Sequence, residues 1–223
     1  MRIHQLTACV LLALTSLAAS AQQNTVRAGV AHIMVHDRSA DFTATGPAFL
    51  TPQPAGVHIA DATTVLLSYS RALNDNWDVE LAGGFPPSQE VLGRDTLAPF
   101  GVVAKVKQAG PTVFVNYTFG SRDSALRAFV GLGVNHTRFY DGKSTDSGML
   151  ASGGPTQITL SSSTGAAGQV GADYRFDARW SVHAAVIKAQ VKSKLTATTG
   201  AIERRTEIDF RPIVATLCLG YSF

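Results

Sequence analysis

The chain has 223 residues, a formal net charge of +3, 45% hydrophobic and 16% charged residues, and two cysteines. Its charge is too small and too scattered for a nucleic-acid-binding face, and its length fits one domain. No stretch after Ala21 approaches the roughly 18 consecutive apolar residues that a membrane helix needs, and only Cys218 lies outside the leader, which excludes an internal disulfide.

Met1 to Ala21 reads as a secretory signal peptide. Arg2 supplies the positive start, Leu6 to Leu17 the short apolar run, and Ala19-Ser20-Ala21 an A-x-A cleavage signal. The mature chain is expected to begin at Gln22 and to form one domain over 22–223.

Beyond the leader, Ser, Thr, Gly, Val and Ala dominate and helix signals are scarce, so the chain reads as strands. The first runs from Asn24 to His36, with Val26, Ala28 and Val30 on one face. A long loop with Gly46-Pro47, Pro52 and Pro54 leads to the second, Ala62 to Leu73, which aligns Val65, Leu67 and Tyr69. Asn74-Asp75-Asn76 makes a tight turn. In the third strand Trp77, Val79, Leu81, Gly83 and Phe85 alternate with Asp78, Glu80, Ala82 and Gly84. Two carboxylates cannot face lipid, so that second face looks into a lumen or solvent.

Pro86-Pro87 opens another long loop. The fourth strand, Val102 to Phe119, contains Pro111, which cannot donate to a ladder and predicts a bulge or break. A short connection leads to the fifth strand, Leu126 to Phe139, and a Gly- and Ser-rich loop to the sixth, Thr156 to Phe176. The turn Asp177-Ala178-Arg179 precedes the seventh, Trp180 to about Lys194. Leu195 to Arg205 is the fourth long loop, and the eighth strand, Thr206 to Phe223, ends on alternating Leu217, Leu219, Tyr221 and Phe223.

Long and short connections alternate through the whole chain. Aromatic residues gather beside the short ones: Tyr69, Trp77, Tyr117, Phe119, Tyr174, Phe176, Trp180, Tyr221 and Phe223. Long outer loops, short periplasmic turns and an interfacial aromatic girdle describe an all-β, eight-stranded antiparallel up-and-down transmembrane barrel of the Gram-negative outer membrane. Tyr221 and Phe223 are expected to act as the insertion signal read by the barrel-assembly machinery.

Several phrases together resemble the OmpW family of small outer-membrane proteins. They are Asn76-Trp77-Asp78-Val79-Glu80-Leu81, Gly110-Pro111-Thr112, Phe129-Val130-Gly131-Leu132-Gly133-Val134-Asn135, Gly165 through Tyr174, and Leu219-Gly220-Tyr221-Ser222-Phe223. They run in the family's order and span nearly the whole mature chain. The resemblance implies an eight-stranded barrel with a narrow, partly hydrophobic interior associated with small hydrophobic molecules. Two departures stand out. Phe85-Pro86-Pro87-Ser88-Gln89 replaces a family run containing a basic residue and histidine. Ser162-Ser163-Thr164-Gly165 replaces a run containing tryptophan, so Thr164 stands where a bulky group helps shape the family's pocket.

An eight-stranded barrel is filled by its own side chains or holds one small ligand. Alternation places Asp78, Glu80, Asn116, Arg127, Asn135, Gln169, Asp173 and Arg175 inside, with Leu66, Phe114, Phe129 and Ile187 as apolar members. Asp78, Glu80, Arg127, Asp173 and Arg175 are expected to pair as a plug near the periplasmic end, and Leu66, Phe114, Phe129, Ile187 and Thr164 to line a lumen or pocket. No histidine pairs visibly with a serine and a carboxylate, and His32 and His36 are too far apart along a strand to share an ion. No catalytic, cofactor or metal site is expected. Gly165-x-x-Gly168-x-x-Gly171 lies inside a strand, where it makes room for neighbours rather than cradling phosphate.

The expected partners are outer-membrane lipid and lipopolysaccharide, the assembly machinery and a small hydrophobic solute, with no nucleic acid. Two functions remain open: a narrow channel or binding site for small hydrophobic molecules, or a structural barrel whose loops meet phage, lipopolysaccharide or host surfaces.

Overall fold

The computed structural model describes residues 24–223; the expected signal peptide lies outside the described residues. The elements are β1 (Asn24–Met34), β2 (Arg38–Ser39), β3 (Thr43–Ala44), β4 (Ala55–Ile59), β5 (Ala62–Ala72), β6 (Trp77–Gly84), β7 (Ser88–Asp95), β8 (Val102–Ala109), β9 (Thr112–Thr118), β10 (Leu126–Ser144), α1 (Asp146–Ser152), β11 (Thr156–Leu160), β12 (Ser163–Arg175), β13 (Trp180–Ala189), β14 (Lys192–Thr199), β15 (Ile202–Asp209) and β16 (Ile213–Ser222).

Eight of these strands close into a barrel in the order β1, β5, β6, β9, β10, β12, β13, β16 and back to β1. Every neighbour is antiparallel. The closing ladder pairs Thr25 with Ser222 through Met34 with Ile213. Closure leaves no free edge, which a sheet in lipid requires because hydrocarbon cannot hydrogen-bond an unpaired backbone group.

The period-2 pattern sets which face each side chain takes. Val26, Val30, Val65, Leu67, Leu81, Val113, Val115, Val130, Leu132, Val134, Val170, Val186, Leu217 and Leu219 are all exposed on the outer wall. Such a band would be an aggregation hazard in water and is the lipid-facing surface of a membrane barrel. Near the short turns it gives way to packed rings. Trp77 lies edge-on to Tyr117 with centroids 5.0 Å apart, and Trp180 lies edge-on to Tyr221 at 5.0 Å. The Asp177 turn is capped by its own carboxylate, which accepts from the Arg179 and Trp180 amides at 2.6 and 3.0 Å. Those two donors hold its pKa below the ordinary carboxylate value.

The expected long loops are the main correction. The segments 86–99 and 195–205 are mostly strand, 37–61 holds β2, β3 and β4, and 140–155 holds the end of β10 and helix α1; β2, β3, β4, β7, β8, β11, β14 and β15 join the upper part of β10 in a second sheet above the barrel. The sixth, seventh and eighth expected strands are each interrupted, at 161–162, 190–191 and 210–212, where the barrel wall passes into this upper sheet. The expected break at Pro111 is present, separating β8 from β9.

The upper sheet has its own apolar core. Val57, Ile59, Val91, Val106, Leu195 and Ile208 are buried together, with Phe139 stacked on Phe210 at 5.1 Å. The signal for it was alternation in short runs: in Lys192-Ser193-Lys194-Leu195-Thr196-Ala197, the serine, leucine and alanine point in while the lysines point out. Turn residues and charges between such runs had disguised them as loops. Helix α1 is capped by the Thr145 hydroxyl, which accepts from the Gly148 amide at 3.1 Å, and ends at Gly153 in the left-handed region.

Replacing Ile208 by Ala should leave a cavity in this upper core at a cost of about 2–5 kcal/mol. The measurement is limited trypsin digestion after Lys194, Arg204 and Arg205 in the refolded protein. Faster cleavage with an intact heat-modifiable barrel is expected; unchanged cleavage would mean that this core does not hold the upper sheet.

Candidate functional site

The barrel interior has two storeys. The lower one is a polar plug centred on Arg27, which points inward from β1 and is almost completely buried. Its Nη1 lies 3.3 Å from Glu80 Oε1 on β6, and its Nη2 lies 3.7 Å from Asp173 Oδ1 on β12. Gln169 Nε2 donates to Glu80 Oε2 at 3.0 Å and to Asn116 Oδ1 at 2.8 Å. Asn116 Nδ2 in turn donates to Asp78 Oδ1 and Glu80 Oε2 at 3.0 and 3.1 Å. His183 Nδ1 lies 2.9 Å from Asp173 Oδ1, and its imidazole stacks on Phe129 with centroids 4.9 Å apart.

Buried charge is tolerated here because Arg27 faces both Glu80 and Asp173, and Glu80 and Asp78 also accept from amide side chains. Inward glycines make the room. A Cβ on Gly131 would collide with Asn116 Oδ1, and one on Gly171 would lie 2.6 Å from Phe129 Cζ. Glycine in these strands is therefore space for the plug, not a phosphate loop.

Below the plug a vestibule of about 140 Å³ opens between the periplasmic turns. Arg127 and Arg175 line it together with Arg122 and Arg179. Arg127 does not pair with a plug carboxylate by hydrogen bond. It donates to backbone carbonyls instead, to Asp75 at 2.7 Å from Nη2 and to Phe119 at 3.3 Å from Nε, tying two turns together.

The plug expectation thus divides. Asp78, Glu80 and Asp173 are in it, while Arg127 and Arg175 lie nearer the mouth, where the strand ends turn their long side chains toward water. The central cation, Arg27, and the histidine, His183, were not assigned to the plug. The parity opposite Val26, Ala28 and Val30 places Arg27 inside, and that was the available signal.

The upper storey is an apolar cavity of about 130 Å³ above the plug. Phe114 is fully buried at its base with Ala82 and Ala167. Leu66 and Ile187 line it, together with Ala31 and Val214 from the wall and Val35, Val191 and Phe210 from the connections between the wall and the upper sheet. Phe129 and Thr164 are corrections. Phe129 is one layer lower, in the plug, because it packs on His183. Thr164 is exposed on the outer wall, where its hydroxyl meets His136 Nδ1 at 2.8 Å. It follows the parity of Ala166, Val170 and Tyr174, so the small residue at this position alters the outer surface and not the lumen.

The barrel wall is thin beside this cavity. The β6–β9 ladder runs from Trp77–Tyr117 to Ala82–Thr112 and stops there. Pro111 has no N–H to continue it, and Gly83 and Gly84 pair only with β5. A groove on the outer wall, lined by Leu67, Leu81, Pro86 and Pro111, shares Ala82, Gly83, Gly84, Phe85 and Gly110 with the cavity.

Substituting Arg27 by Met would leave Glu80 and Asp173 buried without their cation. A loss of about 3–5 kcal/mol is expected in the urea unfolding of the barrel refolded in lipid vesicles. Adding Glu80→Gln and Asp173→Asn to that variant should recover part of the loss. An unchanged midpoint for the single variant would rule out the ion cluster as the structural centre of the plug.

The chain matches the OmpW family over residues 21–223. Outer membrane protein W of Vibrio cholerae serotype O1 is 29% identical over 218 residues, covering 96% of each chain. A Pseudomonas aeruginosa protein named dibenzothiophene metabolism operon protein PahQ is 25% identical over 185 residues, covering 82% of this chain and 83% of that protein. The crystal structure of OprG from Pseudomonas aeruginosa superposes with a TM-score of 0.81 at 26% identity, covering 92% of this chain and 98% of OprG. With its closed eight-stranded wall and lipid-facing outer band, the chain belongs to the OmpW family and is a β-barrel protein of the Gram-negative outer membrane.

Proposed function

We propose that this barrel is a narrow route or binding site for small hydrophobic molecules, entered from the outer side and left sideways through the wall. The observation that carries the reading is the stacking of an apolar cavity directly on a closed polar plug, beside the place where the wall loses its ladder. A solute in the cavity meets Arg27, Glu80 and Gln169 below it, and an apolar molecule gains nothing by displacing their mutual hydrogen bonds. Between Ala82 and Gly110 it meets small residues where the β6–β9 ladder has ended, with the apolar groove on the other side. The membrane is the favourable destination for such a solute, because hydrophobic transfer is proportional to the apolar area removed from water. The name of PahQ, which refers to metabolism of a flat apolar aromatic, supports the same class of solute.

The reading includes no catalytic step. His183 and Asp173 are hydrogen-bonded, but the histidine ring lies under Phe129 inside the plug and serves to close it. Tyr221 and Phe223 have stacked rings 6.4 Å apart, with Phe223 exposed, and this supports reading them as an insertion signal for assembly.

The second reading, a barrel that presents a surface, draws support from the ordered upper sheet. Its outer face carries paired charges such as Lys105–Glu90 at 2.9 Å and Lys107–Asp141 at 3.1 Å. The two readings separate in an uptake assay with naphthalene and cells that express the barrel at their surface. The solute route predicts uptake above that of cells without the barrel.

Gly83→Trp should return uptake to the background, since position 83 shares the outward parity of Leu81, a Cβ there meets nothing within 4 Å, and the ring can cover the outer groove without distorting the wall. Leu66→Asp should do the same by placing a charge in the cavity. If the folded wild-type barrel gives no uptake above background, the surface reading is correct.

A further inference from the structure

The outer wall carries a second apolar groove, on β9, β10, β12 and β13, away from the one beside the cavity. Its lower side is one row of outward side chains. Successive ladders set Trp77 beside Tyr117, Tyr117 beside Val130, Val130 beside Val170 and Val170 beside Val186. The next outward row is Val115, Leu132, Gly168 and Lys188. Five strands spaced about 4.8 Å apart make the first row about 19 Å long. Barrel strands tilt, so a row that crosses them climbs the wall. This one starts among the rings beside the short turns, at Trp77, and rises to the upper end of β13.

Gly168 gives the groove its depth. A Cβ there would meet only Gly131 O and Leu132 Cδ2, at 3.7 and 3.8 Å, so the fold does not require a glycine at this position. What its absent side chain leaves is a notch between Leu132 and Lys188. Lys188 is exposed on the face of Val186, and its ammonium makes no hydrogen bond or ion pair among the described residues. The outward positions of β12, β13 and β16 hold no carboxylate, and Lys188 is the one charge among them. An ammonium on the lipid face is costly at the midplane and cheap near the interface, which a long stem lets it reach.

We propose that this groove is a binding site for one anionic lipid of the surrounding membrane. The lipid phosphate meets Lys188, and one acyl chain lies along the two apolar rows, over Gly168 and toward Trp77. An ammonium with no carboxylate beside it is complementary to a net negative head. It gains less from a zwitterionic one, whose own cation competes for the phosphate. The site faces outward and shares no residue with the cavity, so it stands or falls separately from the solute route.

Native mass spectrometry of the refolded barrel, released from detergent micelles, tests this. The barrel is titrated with phosphatidylglycerol or with phosphatidylcholine of the same acyl chains. One phosphatidylglycerol should be retained per barrel, with an apparent affinity about fivefold above that of phosphatidylcholine. Lys188→Met should abolish the preference by weakening phosphatidylglycerol alone. Gly168→Leu should weaken both lipids, because its side chain fills the notch. Both changes point into lipid, so heat-modifiable mobility should be that of the wild type. Lys105→Met removes a charge from the upper sheet and should leave the preference intact.

Equal retention of the two lipids by the wild type would overturn the proposal, since the groove would then hold only whatever lipid surrounds it. A preference that survives Lys188→Met would place the charge selection elsewhere and overturn it as well. So would a second barrel retained in place of lipid and lost in Gly168→Leu, which would make the groove a contact between copies of this chain.

Discussion

Hydrocarbon offers no hydrogen bonds, and the rest of this structure follows from that. A strand that enters the membrane must find a partner on both sides, so eight strands close on themselves through the β1–β16 ladder. Closure fixes an inside and an outside at every position of every strand. The outside takes Val, Leu and a rim of aromatic rings; the inside is too narrow for a water-filled pore and must be filled. The lower half is filled with ions and amides that pair across the lumen. The upper half is filled less completely, and the cavity is what is left.

The one lapse in closure is informative for the same reason. Above Ala82 and Thr112 the wall lacks a ladder, and the residues there are Gly83, Gly84, Gly110 and Pro111. An unpaired backbone in lipid is costly unless something covers it. Here the strands β7 and β8 rise away from the wall into the upper sheet and continue pairing there. The upper sheet is thus more than a set of loops. Its own core holds the cavity roof in position, and without that core neither Gln89 nor Phe210 would have a defined place above the lumen.

Plug and cavity answer the same filling problem with opposite chemistry. Arg27 is held by carboxylates on two different strands, so it ties β1, β6 and β12 together across the lumen. Such a cluster resists anything that cannot replace its hydrogen bonds. The apolar storey presents no such network, only side chains such as Leu66, Phe114 and Ile187. A closed polar plug and an apolar cavity therefore sit within one short barrel.

Much of this was legible in the residues. Alternation along Trp77 to Phe85 and along Leu217 to Phe223, together with aromatic residues beside the short turns, determined a membrane barrel of eight strands, because the side-chain period of a strand is two and lipid accepts only one of its faces. The same parity put Asp78, Glu80, Phe114 and Gln169 inside, and Pro111 marked the break. Parity says nothing about height or about partners across the lumen. That Phe129 sits in the plug, that Arg127 clamps turns, and that Thr164 faces outward follow from the stagger of the strands and the packing of neighbours.

The upper sheet was hidden because its strands are short and separated by turn residues, so each run alone lacks the length that makes a period visible. Gln89 lay in a stretch that reads as loop, and only the folding of β7 over the barrel mouth turned a polar residue into the roof of an apolar chamber. The sequence by itself determined the wall, since a wall is built from local alternation against a uniform solvent. The tertiary structure decided the contents, since contents depend on which distant side chains meet in a closed space.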